Sequence, residues 1–182
     1  MIKNKKGQLW NVVVLVGGLI GLVLICVGIM LGWGALKSAT DVIIPEFNSI
    51  GQVTDNINIS EYTEKTLTPT SSIIDNIGLI IGMIYILGIL GLMTFAFIAR
   101  NNMNGWLIAF FLASVLLLIA ACIFASNAYE DFHNNNDEIG LILQSATLAS
   151  FLIIYSPEIM TMVAFIAGII LFTGNREEQY YV

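Results

Sequence analysis

Read from its amino end, the chain alternates long uncharged apolar runs with shorter polar ones. Leu9 to Leu36, Ile77 to Ala99 and Gly105 to Ser126 contain no Asp, Glu, Lys or Arg. Each reaches the roughly 20 residues that a helix needs to cross about 30 Å of hydrocarbon. A fourth run, Leu152 to Phe165, is interrupted by Ser156-Pro157-Glu158. Serine is favoured as an N-cap, proline at the first helical position, and an acid in the first turn, where the helix dipole stabilises it. Ser156, Pro157 and Glu158 therefore predict the start of a helix, with the carboxylate at a membrane edge and not in mid-span. The same logic makes Ser72 a cap: Ser72-Ile73-Ile74-Asp75 follows Pro69 and has the spacing of a capping box, with Asp75 in place of the usual Glu. The pattern predicts an all-α integral membrane protein with four transmembrane helices, over 9–36, 73–99, 106–126 and 157–174.

The polar stretches set the orientation. Lys3, Lys5 and Lys6 precede the first span, Arg100 lies in the 100–105 turn, and Arg176 lies in the 175–182 tail. The 37–72 connection carries Asp41, Glu46, Asp55, Glu61 and Glu64 against Lys37 and Lys65, and the 127–156 connection is acidic. Basic residues stay on the cytoplasmic side. The residues 1–8, the 100–105 turn and the tail are thus expected inside, with the two long connections forming a small extracellular cap. In that cap Phe47, Ile50, Val53 and Ile57 recur at about helical spacing after Pro45, which predicts a short amphipathic helix followed by extended chain. Ile139 to Tyr155 reads as an amphipathic surface helix or a shallow re-entrant one, with a fifth span as the competing reading.

The composition agrees with insertion in a bilayer: 57% hydrophobic residues, 11% charged, and a mean hydropathy of +0.85 exceed what one globular core covers. The apolar part of the first run is too long for the roughly 7 to 15 residues of a cleaved secretory h-region, so it is expected to remain as an anchor. Lys5-Lys6-Gly7-Gln8 resembles the class III signal peptide of archaeal pilin-like proteins, where a basic residue and a glycine precede the cleavage point and a hydrophobic helix follows. Val12 stands where those proteins usually carry an acid. The resemblance covers only the first dozen residues and implies an archaeal source or an archaeal virus.

Within the spans the most informative pattern is one of small residues. Gly17, Gly21, Gly28 and Gly32 are separated by four, seven and four positions, which places them within about 60° of helical arc. The second span offers Gly78 and Gly82, the third Ala109, Ala113 and Ala120, and the fourth Ala164 and Gly168. Such residues let helices approach closely where lipid removes the hydrophobic drive for association. The glycine stripe has two readings, packing within the chain or contact with another subunit.

Candidate chemistry is sparse. His133 is the single histidine and has no Cys nearby, while Glu130, Asp131, Asp137 and Glu138 match no calcium loop and read as a solvated turn. Phosphate-binding, nucleophile and CxxC motifs do not occur. No cofactor or metal is implied, and a net charge of −6 argues against nucleic acid as a partner. Cys26 and Cys122 fall at similar depth and read as small buried hydrophobes. Asn58-Ile59-Ser60 matches the acceptor pattern for N-glycosylation. The expected partners are the lipid bilayer, further copies of the chain, or other membrane proteins. A non-enzymatic structural or assembly subunit is one expectation, and a channel, transporter or holin-like permeability protein the other. For the topology, a cysteine-accessibility scan on intact cells is expected to label positions near Thr63 and Asn135 from outside and to spare both termini. A C-terminal tag labelled from outside would replace the four-span topology by five.

Overall fold

The computed structural model describes residues 5–54, 57–100 and 106–173, with side chains for 7–51, 58–100 and 106–173. Lys3, Asp55, Arg176 and the expected 175–182 tail lie outside the described residues, as does nearly all of the 100–105 turn. The elements are α1 (Lys5–Ile50), β1 (Gln52–Thr54), β2 (Ile57–Asn58), α2 (Ile59–Ala99), α3 (Trp106–His133), α4 (Glu138–Ser145), α5 (Thr147–Ile154) and α6 (Ser156–Thr173). Helices α1, α2, α3 and α6 are long and apolar enough to cross a membrane, so this is an all-α, multi-pass membrane protein.

The first two helices overshoot a bilayer. With 46 and 41 residues they are about 69 and 62 Å long at about 1.5 Å per residue, against about 30 Å of hydrocarbon. They run antiparallel: Gly18 abuts Leu92 and Gly88 abuts Leu22. Further along, the Trp33 indole Nε1 donates to the Ile74 carbonyl at 2.5 Å, and Lys37 pairs with Asp75. Past that pair, 38–50 and 59–73 are the arms of a helical hairpin, closed by the β1–β2 ladder of Gln52↔Asn58 and Thr54↔Ile57. Gly51, at φ 63°, supplies the left-handed residue that ends α1, and its carbonyl accepts the Ile59 N–H at 3.0 Å.

This corrects two expectations. The cap is no loop with a short helix after Pro45, because α1 continues through Pro45 and α2 through Pro69. Each proline frees one carbonyl, at Asp41 and at Lys65, and both residues are exposed, where solvent can take the place of the lost bond. Around Pro69 the hydroxyls of Thr70 and Ser72 also donate to the carbonyls of Thr66 and Thr68, a back-bonding that holds within a helix. Ser72 is therefore an interior residue and caps nothing. Asp75 serves as the partner of Lys37 and not as the second half of a capping box. The α2 cap is Asn58, whose side-chain oxygen accepts the Glu61 N–H at 3.4 Å.

The 138–156 segment is two eight-residue helices, about 12 Å each, too short to span. Asp137 caps α4 by accepting the Gly140 N–H at 2.8 Å, and a Cβ at Gly140 would collide with the Asn135 carbonyl oxygen. At Ala146 the chain turns into α5, which enters the bundle as a wedge with Ala149, Ser150, Leu152 and Ile153 buried. Two glycines of α2 admit it: a Cβ at Gly78 would stand 2.7 Å from that of Ala146, and one at Gly82 2.8 Å from Leu148. Tyr155 then leaves helical geometry, and its carbonyl accepts the Ile159 N–H at 3.0 Å. Tyr155 thus holds the N-cap position of α6. Ser156 is the first helical residue and not the cap, while Pro157 and Glu158 lie in the first turn.

Gly78→Val is expected to overpack the α2–α5 contact and to lower stability by about 1–3 kcal/mol, seen as a drop in the thermal midpoint in detergent. Gly91→Val, where a Cβ meets open space, is the control.

Candidate functional site

The glycines of α1 divide into two sets. Gly18 and Gly34 face the bundle, where a Cβ would meet Leu92 in one case and Leu143 and Ile139 in the other. Gly17, Gly21, Gly28 and Gly32 face away from it, with nothing among the described residues within 4 Å of a Cβ built on any of them. The outward stripe continues as Ala35 and Ala39, both exposed, at the same heptad spacing (21, 28, 35 and 32, 39). On α3, Ala109, Ala113 and Ala120 are likewise exposed, whereas Ala164 and Gly168 of α6 are buried, with Gly168 against Phe111. The apolar surface extends along the hairpin: Val42, Ile43, Phe47, Ile50 and Tyr62 are exposed.

At the level of Lys37, a collar of polar contacts ties the wedge to the long helices. Ser38 donates to Glu138 at 2.9 Å, and Gln144 Nε2 to the His133 carbonyl at 2.7 Å. A cleft of about 310 Å³ opens there, lined by Trp33, Asp75, Asn76, Gly78, Ser145 and Thr147. Deeper, Ser126 donates to the Ile154 carbonyl at 2.6 Å. Ser150 donates to Leu143 O at 2.7 Å and so accepts from the Tyr129 hydroxyl, also at 2.7 Å. Ser126, Tyr129 and Ser150 had no role in the sequence reading. No local signal marks them: Ser126 and Tyr129 lie within α3 and Ser150 within α5, and only the fold brings them together.

Thr94, Ser114 and Thr161 each donate to the carbonyl four residues earlier, Leu90, Phe110 and Pro157. Cys26 and Cys122 are buried free thiols. His133 is half-buried, beside Asn134 and the Tyr129 ring, and among the described residues no three of His, Cys, Asp and Glu gather as metal ligands. On the hairpin, Lys65 beside Glu61 at 2.5 Å holds that carboxyl below its ordinary range and is itself raised. Asn58, the sequon residue, is half-buried with its side-chain oxygen engaged as the α2 cap. Glu158 is in the first turn of α6 and buried Gln8 stands near the start of α1, with Val12 fully buried in the core.

The chain matches no protein-family model, no curated protein and no solved structure. The fold and its surfaces therefore carry the functional argument alone.

Ser150→Ala leaves the Tyr129 hydroxyl without a partner and removes one of the two bonds to the Leu143 carbonyl, which keeps the Ala146 N–H, and is expected to cost about 1–3 kcal/mol. Tyr129→Phe keeps the bond from Ser150 to Leu143 and should cost less. Chemical or thermal unfolding in detergent measures both, and the reverse order would show that the hydroxyl relay is misassigned.

Proposed function

We propose that this protein is a non-enzymatic structural or assembly subunit of a membrane-embedded complex, such as a virion membrane, the base of a surface appendage or a secretion apparatus, and that it meets further copies of itself through α1. The observation that carries this reading is the open stripe of Gly17, Gly21, Gly28 and Gly32, which none of the described residues approaches. Glycines at this spacing weaken a helix by roughly 1 kcal/mol each relative to alanine, and close helix contact is the usual compensation in a membrane. Lipid alone gains nothing from a groove of this kind. The back-bonded hydroxyls of Thr94, Ser114 and Thr161 support a structural role over a conducting one, since a path for ions or polar solutes needs polar groups turned toward it.

The hairpin and collar face the outside of a cell or virus membrane in this reading, and both termini face the interior, as the distribution of Lys and Arg favours. The hairpin then stands clear of the bilayer as a projecting contact element. Native mass spectrometry tests the proposal. Gly28→Ile is expected to abolish or reduce a discrete oligomer while the chain still inserts, because the change adds hydrophobicity to an already sufficient span. Gly91→Ile, equally open but on α2, should leave the oligomer intact. An oligomer unchanged by Gly28→Ile, or a wild-type chain that is monomeric in native lipid, would overturn it.

A further inference from the structure

Two buried hydroxyls stand apart from every other described one in the core. Thr63, Ser126, Tyr129 and Ser150 are buried and each has a partner. Tyr85 on α2 and Ser156 at the head of α6 are 1% and 0% exposed, and neither hydroxyl has a hydrogen bond of acceptable geometry. They lie beside each other, in a core that also holds the thiols of Cys122 and Cys26. Thiols are weak partners and do not satisfy a phenol.

The bend at Tyr155 explains why Ser156 is stranded. Thr94, Ser114 and Thr161 satisfy their hydroxyls on the carbonyl four residues earlier in an unbroken helix. For Ser156 that residue is Leu152, on the far side of the bend, where Tyr155 has φ −88° and ψ 17° and α5 has already ended. The regular helical acceptor is thereby lost. An unsatisfied hydroxyl in an apolar interior costs about 1–3 kcal/mol, and this site holds two. A direct bond between them would satisfy one proton and leave the other without an acceptor. One water molecule donates twice and accepts twice, which is enough for both.

We infer that an ordered water molecule is bound inside the bundle where α2 meets the α5–α6 bend, bridging the Tyr85 and Ser156 hydroxyls. The site is distinct from the collar cleft, which is lined by Gly78 but not by Tyr85, and it makes the bend a hydrated joint within the bundle.

X-ray radiolytic labelling of the full chain in nanodiscs, with rapid mixing into ¹⁸O water, reports water held against buried side chains. Tyr85 is expected to be modified despite its burial, faster than the equally buried, hydrogen-bonded Tyr129, and to take up ¹⁸O more slowly than surface tyrosines such as Tyr62. Ser156→Ala is expected to lose the Tyr85 label. A second readout is the sign of a stability change. Tyr85→Phe should lower the thermal midpoint if its hydroxyl is satisfied by water, whereas removing an orphaned hydroxyl would leave it unchanged or raise it. Tyr85 labelled no faster than Tyr129, or a midpoint unchanged or raised by Tyr85→Phe, overturns the inference. A lowered midpoint without labelling would mean a direct Tyr85–Ser156 bond and no water, and overturns it equally.

Discussion

A break in a helix inside a membrane has to find partners for the backbone groups it frees, because hydrocarbon offers none. The 138–156 segment is organised around that requirement. It breaks at Ala146 and again at Tyr155, and at each break a hydroxyl or a capping N–H takes up an exposed carbonyl. Leu143 O receives the Ala146 N–H at 3.2 Å and the Ser150 hydroxyl; Ile154 O receives Ser126. Three of the four spanning helices depend on this wedge for their arrangement: α2 is notched at Gly78 and Gly82 to admit it, α3 turns Ser126 and Tyr129 toward it, and α6 begins where it ends. An uninterrupted helix would need none of these features and would bury none of these polar groups.

The spans were legible in the sequence because they rest on the strongest signal a chain carries, long runs without charge. The helical start at Ser156-Pro157-Glu158 was legible to within one residue, since proline and an acid in a first turn report a helix N-terminus whichever neighbour supplies the cap. Pro45 and Pro69 misled for a physical reason. Proline reads as a boundary because it lacks the N–H an interior helix position uses. In the hairpin the carbonyls they free lie on exposed faces, so the penalty that would end a buried helix is largely met by water. Ser72 and Asp75 have the spacing of a cap, yet Asp75 pairs with Lys37 of the neighbouring helix, a long-range contact that local reading cannot anticipate. Asn58 and Asp137, the actual side-chain caps, were read only as a glycosylation pattern and part of an acidic turn.

The small residues illustrate a different limit. Spacing alone grouped Gly17 with Gly21, Gly28 and Gly32, and it marked Gly78, Gly82, Ala164 and Gly168 as contact points, but it could not say which contacts are internal. In the fold, Gly78, Gly82 and Gly168 each receive a side chain from another helix of the same chain, so their smallness is accounted for. The α1 stripe is not accounted for in this way. Gly18, one residue from Gly17, takes Leu92, and Gly34, two residues from Gly32, takes α4. Helix α1 thus uses glycine on its inner face for the bundle and retains a separate set on its outer face. Had the outer set served only to relieve crowding, it would have been satisfied by the packing already present. Its persistence over seven-residue steps through Ala35 and Ala39, past the Lys37 level and into the hairpin, follows the geometry of one helix lying along another for several turns. That is the reason the α1 surface, and not the collar or the wedge, is where an interaction of this protein is best sought.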